Sequence, residues 1–383
     1  MAMGDGHGSI GTIVDLFSGC GGFSLGAELA GFKSIAAIDI DPVLQSGYRR
    51  NFPRSHVVQA SIADIDGPDW RHLIGRQRPD GVIGGPPCQG FSVIGKRAKD
   101  DPRNTLIGHF FRQINLLKPK FFIMENVEGL LMGESRFVLH EAIETVKPRY
   151  TVLDPVVVRT ADFGAATIRK RVIVVGYDPS EVDAIDGAEL ARGRPGPVTT
   201  VHQAISDLPG PVSAGGNADF GWGRYAARAP RGLSEYARTL RRPPPIGLGW
   251  QEAVQRQAEG YVSGLTATRH SPEIARRYAD TPGGKEEPIT KSYRLEWLGL
   301  CPALRAGTGV EKGSFQAVRP LHPGKGRVIT VREAARIQGF PDWFTFHPTK
   351  WHSFRMLGNS VSPLLSCGLL DAVSTKMALP LAA

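Results

Sequence analysis

Short apolar runs alternate with helix-like segments over residues 12–180, and this alternation constrains the fold more than any other feature of the sequence. The strand-like runs span residues 12–17, 35–40, 81–84, 121–125 and 172–176, and a helix-like segment spans 24–29. Strands that alternate with helices build parallel βαβ units. We therefore predict an α/β fold with a doubly wound, mostly parallel sheet.

Polar or glycine-rich clusters follow the first four apolar runs. In chain order they are SGCGG, DID, GGPPCQGFS and ENV. In doubly wound sheets, ligands bind at the carboxyl ends of the strands. Four such clusters at one edge of the sheet predict an active site there.

Residues 190–326 differ in character, because they are rich in Gly, Pro and Arg and show weak periodicity. They hold 19 Lys and Arg against 11 Asp and Glu, which is a surplus of eight within a chain of net charge +9. A solvated arginine-rich face has such a composition, and so does a domain that faces nucleic-acid phosphates. We predict three parts: 1–185 for catalysis and cofactor binding, a small, irregular, β-rich domain at 186–326, and a return segment at 327–383.

Several classes of protein are disfavoured. The sequence has no run of 18 apolar residues and no basic segment followed by an apolar one at its start, so we expect neither a membrane span nor a secretory signal. Cys20, Cys88, Cys301 and Cys367 form no CxxC pair and no zinc spacing. We therefore expect no metal site and a reducing, cytoplasmic environment.

The first cluster places Gly19, Gly21 and Gly22 directly after a strand. Glycines allow a tight turn and close approach to a ligand, and the following helix offers unpaired N–H groups. The cluster does not match GxxxxGK[ST], which disfavours a nucleoside triphosphate. Asp39, twenty residues after Gly19, is placed to accept hydrogen bonds from ribose hydroxyls. Together these residues suggest a nucleoside-containing cofactor, although such a turn also packs helices on sheets and such an acid also occurs in solvated loops.

Cys88 lies within GGPPCQGFS, where the prolines before it impose a stiff, non-helical turn. A thiolate is a strong nucleophile, and the alternative is a buried structural cysteine. Glu125 ends the apolar run FFIM, so its carboxyl group is expected to be partly desolvated, which suits a general acid. The alternative for Glu125 is a helix cap or a salt bridge.

Arg169 and Arg171 precede the last apolar run, in the segment TIRKR. In an extended segment they point to the same side. Two guanidinium groups on one face suit a carbonyl oxygen or a phosphate, and the alternative is a solvated strand edge.

The motifs of this chain, taken in the order in which they occur, resemble those of cytosine-5 DNA methyltransferases of the bacterial modification type. They are DLFSGCGGFSLG, the acid after the second strand, PPCQGFS, ENV, RxR, a variable region, TVREAARIQGFPD and FRMLGNSVSP. Residues 178–326 match by position as the family's target-recognition region. The resemblance implies the S-adenosylmethionine-dependent methyltransferase fold.

The resemblance also implies that S-adenosylmethionine lies at the strand ends. Phe17 would stack on its adenine, Asp39 would bind its ribose, and the glycines would pass close to its methionine part. The implied cofactor-binding residues are Phe17, Gly19, Gly21, Gly22, Asp39, Ile40, Ile62, Pro86, Leu106, Asn359 and Ser360.

The implied chemistry begins with addition of Cys88 to carbon 6 of cytosine, which makes carbon 5 nucleophilic. Glu125 would contact N3 and the exocyclic amine, and Arg171, helped by Arg169, would stabilise charge near O2. The base would have to be flipped out of the duplex. Residues 89–103 resemble the family's mobile catalytic loop, which would close over it.

Four positions depart from the family pattern. Thr167 replaces a usual Gln, Lys170 a usual acid, and Ala303 a usual Thr. Ser61 replaces the acid that usually meets the adenine amine, although Asp64 is near in sequence. Loss of that acid would weaken cofactor affinity, but none of these changes removes the nucleophile or the acid.

We expect sequence-specific double-stranded DNA as substrate, a monomer in the bacterial cytoplasm associated with the nucleoid, and a possible cognate restriction endonuclease that acts separately. The alternatives are a tRNA cytosine-5 methyltransferase of the same fold and a catalytically silent DNA-binding relative. The basic variable region favours duplex DNA, and intact Cys88, Glu125 and Arg171 argue against a silent protein. The candidate DNA contacts are Gln89, Ser92, Arg103, Arg241, Arg242, Arg305 and Arg319. Each of the last four arginines could equally bind phosphate or solvent, and the recognition sequence is not readable.

Overall fold

The computed structural model describes residues 9–87, 105–193, 196–216, 219–226, 232–306 and 319–377. An eight-stranded sheet has the order β3-β2-β1-β4-β5-β8-β6, with β7 also paired to β8. The strands are β1 Gly11–Leu16, β2 Phe32–Asp39, β3 His56–Gln59, β4 Gly81–Gly84, β5 Phe121–Asn126, β6 Thr151–Val152, β7 Val156–Arg159 and β8 Lys170–Tyr177.

The five strands from β3 to β5 are mutually parallel, whereas β8 runs antiparallel to β5 and β6 and β7 run antiparallel to β8. The predicted α/β fold with a mostly parallel sheet is confirmed. The short strands β3, β6 and β7, which contain two to four residues each, were not predicted.

Helices cover both faces of this sheet, because side chains of successive strand residues point to opposite sides. The first five helices are α1 Gly22–Leu29, α2 Pro42–Asn51, α3 Gly67–Ile74, α4 Thr105–Leu117 and α5 Glu134–Glu144. One face buries Ile13, Ile83 and Ile123 with Phe23 of α1, and the other buries Val14, Val82 and Phe122 with Phe110 of α4 and Leu139 of α5.

The region predicted to be β-rich contains mainly short helices among its described residues. They are α6 Gly187–Arg192, α7 Val201–Ile205, α8 Glu235–Leu240, α9 Gln251–Ala258 and α10 Pro272–Asp280, with one two-stranded sheet of β9 Gly223–Arg224 and β10 Tyr261–Val262. Local caps account for several of these helices. Thr200, Ser234 and Ser271 each accept a backbone N–H from the first turn.

The chain then returns to the sheet through α11 Val331–Ile337, α12 Lys350–Asn359 and α13 Pro363–Ser374. α13 packs against α1, where Ser366 Oγ donates to the carbonyl oxygen of Phe23 at 2.6 Å. α12 is tied to the end of β2, because Arg355 pairs with Asp41, the N-cap of α2, at 2.6 Å.

Lys350–Ser374 is also the one stretch of the described chain that is long and apolar enough to cross a membrane. Its most apolar window is 72% buried in the fold, and the helix is interrupted at residues 360–362. The apolar character of this stretch is therefore that of a core element.

Candidate active site

The glycine-rich turn after β1 is fastened to the end of β2. Gly19 and Gly21 have φ of 55° and 95°, a conformation that favours glycine. The Gly19 and Asp41 N–H groups each donate to one oxygen of Asp39, both at 2.8 Å. Burial raises the pKa of Asp39, and these backbone bonds oppose that shift. Each oxygen keeps an unused lone pair, so Asp39 both shapes the turn and remains able to accept a ligand hydroxyl.

The surroundings of this turn fit a nucleoside-containing cofactor. A Cβ on Gly19 would meet nothing within 4 Å, so the space above the turn is open. Ser18 Oγ is buried and has no hydrogen-bond partner among the described residues. Ile40 is 68% exposed at the end of β2, which is unusual for a large apolar side chain and leaves an apolar surface open beside the turn.

The return segment closes the other side of the turn. A Cβ on Gly22 would overlap Val361 O and Ser360 Oγ, so the close approach of the two segments requires glycine there. Ser360 Oγ also lies 3.4 Å from Cys20 Sγ, and Asn359 beside it is exposed. Two residues of the implied cofactor set, distant in sequence, therefore lie beside the glycine turn.

The other implied cofactor residues differ in what they expose. Phe17 and Leu106 are partly exposed, and Phe17 has a positive φ of 62°. Pro86 is buried, and Ile62 is only 2% exposed within the core beside β4. The Ile62 side chain therefore belongs to the core in this structure, while Ile40 offers the open apolar surface.

Glu125 and Arg171 meet at the same edge of the sheet. Because β8 is antiparallel to β5, its first residues lie beside the last residues of β5, with Asn126 opposite Val172. Arg171 Nε lies 2.6 Å from Glu125 Oε1, and both side chains are nearly buried. A Cβ on Gly85 would lie 3.5 Å from Glu125 Oε2, so glycine keeps the space beside this carboxylate free.

Asn126 connects this pair to the segment that carries the cysteine. Its buried Nδ2 donates to the carbonyl oxygen of Pro86 at 3.0 Å. Cys88 follows two residues later and lies outside the described residues. The sequence motif ENV gave no reason to single out Asn126, whose role becomes visible only when β4 and β5 are side by side.

Arg169 has a different position from the one predicted. It is only 4% exposed, and its Nη1 donates to the carbonyl oxygens of Leu304 and Gly358 at 3.0 and 2.9 Å. Burial lowers the pKa of Arg169 to about 9, so the guanidinium group keeps its charge at neutral pH. Arg171 contacts Glu125, whereas Arg169 holds two distant backbone segments together.

A short backbone ladder brings the variable region to this edge. Ile168 N–H donates to Cys301 O at 3.0 Å, and Cys301 N–H donates to Ala166 O at 2.9 Å. Thr167, where the family usually has Gln, is buried, and its Oγ1 is unpartnered in the part of the chain that the structure describes. Residues 301–306 therefore run beside the strand that presents Arg171.

Sequence reasoning missed the hub formed by the TVREAARIQGFPD motif. Arg336 is fully buried and pairs with Asp342 at 2.6 Å and with Asp207 of the variable region at 3.2 Å. Arg332, also fully buried, donates to Ser263 O and Phe344 O at 2.8 and 2.7 Å. Two arginines four residues apart, on a helix whose other residues are apolar except for Glu333, were the available signal.

The candidate DNA contacts divide into three groups. Arg241 is committed to the fold, because its Nη2 lies 2.6 Å from Asp207 Oδ2 and its guanidinium stacks 3.6 Å from the Tyr225 ring centroid. Arg242 and Arg305 are exposed, and Arg319 is half-buried. Gln89, Ser92 and Arg103 lie outside the described residues, as Cys88 does.

Comparison with known proteins points to one family. The family described as C-5 cytosine-specific DNA methylase matches residues 11–374. Type II methyltransferase M.XorII of Xanthomonas oryzae pv. oryzae is 41% identical over 92% of this chain and 82% of its own length. Type II methyltransferase M1.HphI of Haemophilus parahaemolyticus is 30% identical over 94% of this chain and 86% of its own. The crystal structure of a DNA modification methyltransferase encoded within an E. coli prophage superposes with a TM-score of 0.84 at 38% identity, over 95% of this chain and 99% of that one.

Proposed function

This chain belongs to the C-5 cytosine-specific DNA methylase family, and from that premise we propose which of its residues carry the reaction. It is a DNA (cytosine-5)-methyltransferase of the type II restriction–modification kind. The tRNA methyltransferase alternative is not favoured, because the curated relatives are type II DNA methyltransferases.

The contact between Glu125 and Arg171 supports the proposal most strongly. An anionic and a cationic side chain, both nearly buried, lie in contact beside Gly85 at the carboxyl edge of the sheet. A flipped cytosine placed there would present N3 and its exocyclic amine to Glu125 and its O2 to Arg171. Arg171 would then stabilise the negative charge that develops on the ring when a nucleophile adds to carbon 6.

Cys88 is the proposed nucleophile. Its thiolate adds to carbon 6, and the electron pair of the ring moves to carbon 5. Carbon 5 would then take the methyl group from S-adenosylmethionine as the bond between that group and the sulfonium sulfur breaks, which leaves S-adenosylhomocysteine. A base then removes the carbon 5 proton, and the returning electron pair expels the Cys88 thiolate. Asn126 supports this step by holding the Pro86 carbonyl, which fixes the start of the turn that leads to Cys88.

S-adenosylmethionine, on which this family depends, supplies an electrophilic methyl group when it is bound. We place its ribose at Asp39 and its adenine against Ile40 and Phe17. Gly19 leaves the space above the turn open, and Asn359 offers an exposed amide beside it. Asp39 would therefore accept hydrogen bonds while the apolar side chains exclude water from the ring.

Arg169 is proposed as a positioning residue. It does not touch the base in this assignment. Its guanidinium group donates hydrogen bonds to two backbone carbonyls. One belongs to Leu304 in the target-recognition region, and the other belongs to Gly358, which precedes Asn359. This places the recognition segment and the cofactor segment at defined distances from Arg171.

The partner proposed for this site is a duplex carrying a specific sequence, with the target base flipped out. We further propose that the protein acts as a monomer in the cytoplasm, at the nucleoid, and that any cognate restriction endonuclease is a separate protein. The surplus of positive charge in residues 190–326 supports a DNA-facing role for that region.

Transfer of labelled methyl groups from S-adenosylmethionine to duplex DNA tests these assignments. We expect Cys88→Ala and Glu125→Gln to abolish transfer, whereas Glu128→Gln, at a half-exposed neighbouring carboxylate, leaves it unchanged. Label that enters tRNA and never duplex DNA would contradict the substrate assignment. DNA binding by the wild type without any transfer, on DNA that contains every short site, would support a silent relative instead.

A further inference from the structure

Three cationic side chains gather around the first turn of α12. Lys350 is the first residue of the helix, and Phe354, four residues later, lies on the same face. The Arg319 guanidinium carbon lies 4.6 Å from the centroid of the Phe354 ring. Lys350 Nζ donates to Ala267 O at 2.6 Å, which brings Arg269 of the variable region close to this turn.

His270 adds an unused hydrogen-bonding atom to this group. Its ring centroid lies 5.1 Å from that of Tyr278. Its Nε2 is buried and has no hydrogen-bond partner among the residues that the structure describes. A buried polar atom without a partner is costly unless a ligand satisfies it.

The positive charges of these three side chains are not neutralised by carboxylates within the described structure. Within the described ranges no carboxylate forms an ion pair with Arg269, Arg319 or Lys350, although Arg327 nearby is paired with Glu333. Burial, then Arg319 and Arg269, lowers the pKa of Lys350. Burial, then Lys350, Arg319 and Arg327, lowers the pKa of His270. The cations therefore repel each other, and an anion would relieve that repulsion.

We propose that Arg269, His270, Arg319 and Lys350 form a binding site for a backbone phosphate of the duplex substrate. This inference rests on the DNA methyltransferase function of the chain. Arg269, Arg319 and Lys350 offer positive charge and N–H donors without an acceptor, and the His270 ring adds an N–H donor when Nε2 carries the proton. Such a set of donors suits phosphate oxygens better than base edges.

The position of the group agrees with this assignment. α12 runs from Lys350 to Asn359, about 15 Å at about 1.5 Å of rise per residue, so its far end reaches the cofactor segment. The recognition segment crosses that far end, since a Cβ on Gly358 would overlap Ala306 N. A span of about 15 Å corresponds to about four base-pair steps along a duplex at about 3.4 Å each. The site would thus contact the backbone within about four base-pair steps of the segment that carries Asn359.

The salt dependence of duplex binding tests this proposal. For duplex DNA, log Kd changes with log salt by about 0.9 per phosphate contact, so the double variant Arg319→Gln/Lys350→Gln, which weakens one phosphate contact, should lower the slope by up to about 0.9. The loss of affinity should be equal for duplexes with and without the recognition sequence, because a phosphate contact does not read bases. The matched control is Arg71→Gln/Arg136→Gln, which removes two exposed cations from α3 and α5.

Two further measurements keep the test decisive. The single variant Lys350→Arg preserves the charge and should show the same salt slope as the wild type. S-adenosylmethionine binding without DNA reports whether each variant is folded. In the wild type, the pKa of His270 measured by NMR should rise when a duplex is added, because a phosphate stabilises the imidazolium. A slope that matches the control variant, a loss confined to one DNA sequence, or an unchanged His270 would overturn the proposal. Binding does not require transfer, so failure of the Cys88 or Glu125 assignments would be seen separately.

Discussion

Asp15 is a buried carboxyl group at the end of β1, held through one oxygen only. Ser24 Oγ donates to its Oδ2 at 2.6 Å, and Tyr48 donates to Ser24 in turn. Its Oδ1 has no partner within the described structure. Burial, with a smaller contribution from Asp39, raises the pKa of Asp15 to about 7. The glycine turn is therefore built over a group that is largely protonated in mildly acidic solution.

The pH dependence of folding follows from this residue. Because the folded pKa lies above the unfolded one, the folded state holds the extra proton between about pH 4 and pH 7. The contribution of Asp15 to the free energy of unfolding therefore falls as pH rises through that window. Asp15→Asn removes this loss, so its stability relative to wild type should rise by about 1–4 kcal/mol from pH 5 to pH 8. Denaturant titrations at several pH values measure this difference in the free energy of unfolding. The control is Asp154→Asn at an exposed position, and a difference for Asp15→Asn that varies with pH as little as the control's would refute the prediction.

Asn126 carries a second prediction about a single residue. Asn126→Ala removes the hydrogen bond to the Pro86 carbonyl and leaves the turn before Cys88 free to shift. Small displacements of a reacting group cost about 10²-fold in rate. We expect kcat to fall by about that factor while the Kd for S-adenosylmethionine changes little. Equal kcat in the two proteins, together with equal rate constants for methyl transfer in single-turnover assays, would contradict a positioning role.

Strand direction determines where each catalytic motif falls in the sequence. The clusters after β1, β2, β4 and β5 follow their strands, because these strands are parallel and end at one edge. RxR precedes its strand, because β8 is antiparallel and begins at that edge. The first four apolar runs of the sequence predicted correctly that the clusters following them lie at the carboxyl edge of the sheet. The sequence could not predict the direction of β8, which depends on pairing with β5 and leaves no local trace.

Gly358 offers a test at the level of elements. The chain at Arg305 and Ala306 crosses α12 so closely that a Cβ on Gly358 would overlap backbone atoms. Gly358→Ala should cost about 1–3 kcal/mol of unfolding free energy and should weaken both cofactor and DNA binding, because it separates two segments that meet there. Gly108→Ala, on the exposed face of α4 with open space around its Cβ, should instead stabilise by up to about 1 kcal/mol. Equal thermal stabilities of the two variants would be inconsistent with the close crossing.

The whole molecule is joined through its core. One buried apolar cluster includes residues from all three predicted parts, among them Leu25, Ile205, Leu295 and Phe344. The predicted boundaries at 185 and 326 thus separate stretches of different composition that share one core. Composition revealed the change of character but not the shared packing, which arises only when α11 packs against α7 of the variable region and against α12.

The buried ion pairs around Arg336 test this unity. Removing one partner of a buried pair leaves the other charge uncompensated, which costs about 3–5 kcal/mol. We expect Arg336→Met to lower the free energy of unfolding by about that amount, since Asp342 and Asp207 both lose their partner. The exposed pair Arg159–Asp162 provides the control, and Arg159→Met should change stability by less than about 1 kcal/mol. Similar melting temperatures for both variants would argue against the hub.

The variable region shows where sequence reasoning stops. Its surplus of positive charge was readable, but the partners of individual arginines were not. Arg241 and Arg319 looked alike in the sequence, yet Arg241 is held by Asp207 and Tyr225, whereas Arg319 stacks on Phe354 without a carboxylate in the described structure. Long-range pairing decides between these roles, and a single sequence does not encode it locally.

Bisulfite sequencing of plasmid DNA from cells that make this protein tests the central claim most directly. For the wild type, we expect cytosines within one sequence context to be protected from bisulfite conversion. For Cys88→Ala or Glu125→Gln, we expect no protected cytosines. Fully converted cytosines with the folded wild-type protein, or protection that persists in Cys88→Ala, would contradict the claim.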